Sequence, residues 1–273
     1  AITTLTLIKC PVFAAHDFLG FFTAETDGTQ IIDANGNLTE AATSFLFASN
    51  TILYAQWTHN YVNKICTICG LEEPKIPDSE GFYEIANAQD LYWFAEKVNT
   101  WKTNINGKMT ADIVVNSEVL SDDGNLDANS DEFVKWTPIG KDEDGKRYSG
   151  IFDGQGHTIS GLYINDDNET NKVVGLFCAL TSTGIIKNVG VVDSYFYANQ
   201  HAAGICGSNG GAVVNCFNAA ICKAKGNGAG GIVSWNGGTI KNCYHIGFVT
   251  GAGYVGGICG NNCVRDTYNG ITH

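Results

Sequence analysis

The stretch Gly230–Asn262, GGIVSWNGGTIKNCYHIGFVTGAGYVGGICGNN, opens on GGIVSWN and closes on GGICGNN, so the chain returns to almost the same words within one short period. Upstream the phrase recurs as GLFCAL and GICGSN, so that its four copies begin at Gly175, Gly204, Gly231 and Gly257, a nearly constant step. A second phrase keeps the same beat: IIKNVGVV, AVVNCFNA and TIKNCYHI carry Asn188, Asn215 and Asn242 at equal intervals. Fainter copies are GIFDG from Gly150 and TISGLYI from Thr158. The apolar runs between glycines are three to five residues long and β-branched, too short for helices. A unit of this kind cannot bury its apolar face alone and must stack on its neighbours, which makes the second half a solenoid. Leucine-rich repeats share the period, but no consensus leucines recur, so the pattern favours a right-handed parallel β-helix with four to five legible turns.

Composition agrees. Among 273 residues, 44% are hydrophobic, enough to fill a core, and 33 glycines against four prolines suit a turn-rich, mainly β chain. A net charge of -12 leaves no basic stripe for a phosphate backbone, which argues against nucleic acid as a partner. It also disfavours anionic membranes, and no run approaches the roughly 18 apolar residues that span a bilayer. The opening AITTLTLIKCPVF lacks the charged start and cleavage site of a signal peptide, and a start at Ala1 is that expected of a mature or excised piece of a longer chain.

In a β-helix, residues one coil apart stack about 4.8 Å from each other, so aligned columns report side-chain direction. Cys206, Val233 and Cys259 exchange cysteine for valine beside Ile205, Ile232 and Ile258, which reads cysteine as a small hydrophobe. Asn188, Asn215 and Asn242 form a column at a turn, where stacked amides bond one another or their own backbone. Cys216 and Cys243 stack at a spacing that would permit a disulfide, with free thiols the favoured reading. Tyr163, Gly190, Phe217 and Tyr244 align as an aromatic column. Pointing outward it is a platform for a sugar or protein, and pointing inward, the favoured direction, it is a core ladder. Trp235, at a corner, is a second exposed-aromatic candidate.

These phrases resemble the GLUG motif, the glycine-rich coil repeat of bacterial surface proteins that include adhesins and regions flanking IgA1-cleaving metallopeptidases. The resemblance runs from about Gly81 to the C-terminus and takes in GFYEIANAQDLYWFAEKVN, ADIVVN, WTPIG and YSGIFDGQGHTISGLYI. Over about 87–99 the residues predict a helix: Asn87 caps it with Asp90 in the reciprocal position, and Leu91, Phe94, Ala95 and Val98 share one face. Such a helix would cover the first coil, whose edge would otherwise template aggregation. No corresponding cap follows GGICGNN, so the natural chain is expected to continue or to end in a blunted coil.

Residues 1–57 follow another pattern. FLGFFTAETDGTQIIDANGNLTEAATSFLFASNTILYAQW, Phe18 to Trp57, resembles the Listeria/Bacteroides (internalin B-type) repeat, which implies a small β-grasp-like module; the LYAQW ending is intact, while Thr3–Val12 lacks the usual NGG turn. IIDANGN, Ile31–Asn37, supplies a tight Asn-Gly turn. Residues 58–80, with Pro74 and Pro77, read as a linker leading to the β-helix of 81–273. In the linker, Cys66 and Cys69 have zinc-knuckle spacing with His59 upstream, half of a zinc site that needs a fourth ligand such as Cys10 or His16. A local disulfide and plain thiols remain open there. The acidic run 122–132 alternates Asp123, Asn125, Asp127, Asn129 and Asp131, a spacing that suits calcium, although Ala128 and Val134 stand where an EF-hand has Gly and Glu.

Enzymatic motifs are missing. The sequence contains no His-Glu-x-x-His, no Gly-x-Ser-x-Gly elbow and no phosphate-binding loop. For a glycan-cleaving β-helix the candidate carboxylates are a column of Asp166 and Asp193, with Asp153 on the preceding turn, though no Lys or Arg joins them. The resemblance implies a segment on the bacterial cell surface, and with these motifs missing the expectation is a non-enzymatic one that presents a rigid β-helix face to a host protein or glycan. A glycan-active β-helix enzyme and a pure spacer are the alternatives.

Overall fold

The computed structural model describes residues 18–24, 28–44, 52–57, 61–62, 65–66, 75–100, 102–166 and 172–263. The chain divides into two compact units, 1–75 and 76–273.

In the first unit, Phe18–Phe22 is the central strand of a three-stranded antiparallel sheet, flanked by Gln30–Asp33 and Tyr54–Trp57. Asp33 builds the turn that follows: its carboxylate accepts the backbone N–H groups of Asn35 and Asn37, and Gly36 takes the left-handed conformation at φ 87°. Ile31, Ile32 and Ala42 form a small core with Phe21 and Leu53. Farther on, Tyr61–Val62 pairs with Ile65–Cys66.

The second unit is a parallel β-solenoid of about six turns, with five faces. The first face stacks Phe82–Ile85, Asn106–Met109, Ile151–Asp153, Ile185–Lys187, Ala212–Val214 and Thr239–Lys241. The second stacks Ile113–Val114, Thr158–Ser160, Gly190–Val192, Phe217–Asn218 and Tyr244–His245. The third holds Tyr163–Asn165, Tyr195–Ala198, Ile221–Ala224 and Phe248–Gly251, and the fourth Val173–Val174, His201–Ala203, Gly228–Gly230 and Tyr254–Gly256. The fifth holds Phe177–Leu180, Cys206–Asn209, Val233–Asn236 and Cys259–Asn262. Register within the last three coils follows the sequence beat: Cys206 faces Val233, which faces Cys259. Ile205, Ile232, Cys206 and Val233 are fully buried, whereas Ile258, on the last described coil, is 39% exposed. Among the described residues no helix is long and apolar enough to cross a membrane.

Ala88–Thr100 is the helix at the head of the stack. Asn87 Oδ1 accepts the Asp90 N–H at 3.0 Å as an N-cap, and Asp90 Oδ2 accepts the Asn87 side-chain amide and the Ala86 N–H, one residue before the N–H that a capping box would engage. Leu91, Phe94, Ala95 and Val98 are buried, and the Phe94 ring packs on Tyr148 and Phe152. In the second coil the chain leaves the regular path after Val114 and rejoins the fifth face at Ile139 and Tyr148, which bridge to Phe177 and Leu180. This excursion stands where other coils carry their third and fourth faces.

One inward column of the second face turns polar: Ile159 and Val191 are followed by Asn218 and His245. Asn218 is fully buried and commits its amide to the Gly231 carbonyl (2.7 Å), His245 Nδ1 (3.1 Å) and the Ala220 N–H (3.0 Å). Gly204 makes the space for it, since a Cβ there would lie 2.1 Å from the Asn218 amide. Gly204→Ala is therefore expected to cost roughly 1–3 kcal/mol by overpacking. Gly237→Ala, whose nearest non-neighbour atom would be 3.6 Å away, should stay within about 0.5 kcal/mol. Thermal or urea melts of the two variants check the contrast.

Candidate functional site

Three corners of the solenoid are made by Asn188, Asn215 and Asn242, all in the left-handed region at φ 55°, 55° and 53°. Asparagine tolerates this conformation, and its amide is both donor and acceptor, so equal side chains one coil apart bond in series. Asn242 Nδ2 donates to Asn215 Oδ1 (3.1 Å) and Asn215 Nδ2 to Asn188 Oδ1 (3.0 Å). Asn188 Nδ2 ends the series on Asp153 Oδ1 at 2.9 Å. Desolvation works to raise the Asp153 carboxyl, but Asn188, the Gln155 N–H and Lys187 outweigh it and hold it below the ordinary range. A second, more buried series joins Asn209, Asn236 and Asn262 through bonds of 2.7 and 2.8 Å. Sequence reading passed over it, although its signal stands as the last letter of GICGSN, GIVSWN and GICGNN.

Directly after each corner asparagine the side chain turns inward, as at Val189 and Cys216, and the next turns out. Phe217 and Tyr244 therefore lie on the outer surface, with Tyr244 53% exposed, and their rings stack at 5.1 Å and 4°. This corrects the core-ladder reading. Gly190 completes the column because a Cβ there would lie 2.3 Å from the Phe217 ring. Tyr163 does not belong to it. It pairs with Tyr195 on the third face and is buried against Phe133 of the excursion, its ring centroid 5.4 Å away. The spacing misled because the preceding coil is longer than the later ones, so that Gly190 pairs back with Thr158 and not with Tyr163.

The same irregularity separates Asp166 and Asp193, the candidate carboxylate column. Asp193 is at a corner, where it accepts the backbone N–H groups of Val119 and Leu120 and so ties down the excursion. Asp166 follows the far end of a third-face strand, its N–H bonded to the Tyr197 carbonyl. In the acidic run, Asp123 accepts Ser121 Oγ at 2.6 Å and Asn125 twice; these bonds hold its carboxyl down to about 2. Asp127 accepts the Asn129 N–H. These carboxylates shape the turns of the acidic loop. His59 and Cys69 lie outside the described residues, as does the Cys66 side chain. Among the described residues no three His, Cys, Asp or Glu side chains gather as a metal set. Cys206 and Cys222 are buried free thiols; burial drives both up, Cys222 to about 12, which makes them poor nucleophiles. Cys216 and Cys243 are also free, in contact through the Cys216 N–H and Cys243 Sγ at 3.4 Å.

A cleft of about 620 Å³ opens where the excursion stands beside the fourth and fifth faces. It is lined by Thr137–Glu143 (all but Ile139), Asn99, Lys172, Val173, Cys178, Gln200 and His201. The Lys141–Arg147 turn is pinned at both ends, by Ile139 N–H to the Leu176 carbonyl and Tyr148 N–H to the Ala179 carbonyl. Asn99 braces it, accepting the Gly140 N–H at 2.7 Å and donating to the Pro138 carbonyl. Ser234 gives its one hydroxyl proton to the Gly228 carbonyl, so the contact of 3.2 Å between Ser234 and His201 Nδ1 uses the ring's proton and fixes the neutral tautomer. The His201 ring meets Trp235 edge-on at 5.8 Å. Trp235 is 38% exposed. No repeat column marks this cleft in the sequence.

Burial pulls His201 below its ordinary value, with Asp142 pulling the other way, and burial lowers His245 as well. The unfolded chain takes up protons at these residues near the ordinary histidine value while the folded chain resists, so stability is complete above that pH and falls as the pH drops toward the folded values. Between about pH 7 and pH 5 the melting midpoint is expected to fall, and His201→Gln to flatten that slope. The depressed carboxylates titrate below this window.

No protein-family model and no curated protein matches the chain. Among solved structures it is similar to a Bacteroides ovatus protein provisionally named an immunoglobulin A1 protease, at 20% sequence identity and a TM-score of 0.49, over 69% of this chain and 64% of that one. This chain thus spans less than two thirds of that protein's length.

Proposed function

We propose that the chain is a non-enzymatic, extracellular segment of a bacterial cell-surface protein that holds a rigid β-solenoid face against a host protein or glycan. The observation that carries this reading is the outward, coplanar stack of Phe217 and Tyr244. Two large rings held one coil apart by backbone pairing are preorganised, so a partner that covers them orders few side chains on binding. Aromatic anchors of this kind supply much of the energy at interfaces. The resemblance of the glycine phrases to GLUG repeats, and of Phe18–Trp57 to the Listeria/Bacteroides β-grasp-like repeat, supports a surface location within a longer chain. Against glycan cleavage stands the occupation of Asp193 by backbone N–H groups. A spacer gains nothing from exposing these rings.

A glycan array and a panel of host extracellular proteins test the reading with the whole chain. Wild type is expected to retain at least one ligand, and Phe217→Ala/Tyr244→Ala to lose roughly tenfold or more in affinity. Binding left intact in the double variant would move the contact elsewhere, and a silent wild type would leave the spacer.

A further inference from the structure

We infer that the cleft between the excursion and the fourth and fifth faces binds a carboxylate-bearing sugar of one or two rings, held through Lys141 and Lys172. The inference stands apart from the aromatic face, with which it shares no residue.

Shape comes first. In this solenoid the cleft lies where the chain leaves the repeat. A volume of about 620 Å³ lies in the usual range for small-ligand sites and suits a mono- or disaccharide. Its walls are preformed, because the Lys141–Arg147 turn is pinned at Ile139 and Tyr148 and braced by Asn99.

Charge selects the ligand class. The two carboxylates that line the cleft are already neutralised: Asp142 pairs with Arg147 at 2.8 Å, and Glu143 with Lys146. Lys141 and Lys172 line it too, and neither has an ion pair among the described residues. In a chain of net charge -12, Lys141 shares the field of Glu143 with Lys146, and Lys172 has no paired carboxylate among the described residues, so both exposed ammonium groups are open to a bound anion. Gln200 and Thr137 add neutral hydrogen-bonding groups of the kind that sort ring hydroxyls. His201, its Nδ1 held by Ser234, offers a ring of fixed orientation, and Trp235 meets that ring edge-on, so an apolar surface on which the C–H face of a sugar can lie stands next to the cleft. Anionic, hydroxyl-rich and partly apolar together describe a uronic or sialic acid better than a free phosphate or an aliphatic acid.

Calorimetric and saturation-transfer titrations of the whole chain with D-glucuronate and N-acetylneuraminate test this, against D-glucose, acetate and inorganic phosphate. At least one acidic sugar is expected to bind, to perturb the His201 ring resonances, and to weaken as salt rises. Lys141→Gln/Lys172→Gln should lose roughly tenfold or more. Both lysines are exposed, so the variant folds, which an unchanged melting midpoint verifies. Glucose binding as tightly as the acids would overturn the charge argument. Acetate or phosphate matching them would overturn the sugar argument, and absence of binding by either acid, or wild-type affinity in the lysine variant, would overturn the site. Phe217→Ala/Tyr244→Ala is expected to leave this binding unchanged, so the aromatic-face reading and this one fail separately.

Discussion

The structure depends on the parallel ladder in which each coil passes its backbone hydrogen bonds to the next. A strand of two to four residues has no stability of its own, so its N–H and C=O groups must find partners one coil away. That demand fixes the spacing at about 4.8 Å and places like side chains over like. A column then accepts only residues that tolerate their own kind. Amides qualify because each donates and accepts, as in the two asparagine series; carboxylates do not, because stacked anions repel. Asp153 is instructive here. It occurs once, at the end of the Asn188 series, where Lys187 supplies the opposite charge.

The same spacing governs the core. Large side chains gather at the helix-capped end, where Phe94, Tyr148, Phe152 and Phe177 pack ring against ring. Later coils close over smaller groups such as Val213, Cys222, Ala229 and Val233. Within so narrow an interior a buried polar residue needs both partners and room. Asn218 has the partners through Gly231 and His245 and the room through Gly204, so the glycine and the amide form one unit although they stand on different faces of the coil.

Legibility in the sequence follows the regularity of the coils. Asn188, Asn215 and Asn242 could be aligned because their three coils have equal corners, and the helix over Ala88–Thr100 because capping and amphipathic signals are local. Tyr163 and Asp166 were misaligned because the preceding coil has longer corners, and one shared period cannot describe both. Ring direction at Phe217 and Tyr244 was hidden for another reason. Two-residue alternation applies within a strand, and a left-handed residue just before it resets the parity. The cleft was invisible because its lining comes from Asn99, the excursion and three later segments, each unrepeated.

This division between repeated and unrepeated parts bears on how a solenoid acquires function. A column presents the same chemistry coil after coil, which gives extended, shallow contact surfaces such as the Phe217–Tyr244 step. Selectivity for a small ligand needs several different groups converging on one point, and a stack of equal coils cannot supply them. In this chain they come from the place where the second coil abandons the repeat. The polar groups of that excursion must then be satisfied without the ladder: Asp193 bonds Val119 and Leu120, Asn99 bonds Pro138 and Gly140, and Asn116 bonds Gly161 and Val134. Side chains that look scattered in the sequence are thus the ones that hold the excursion in place.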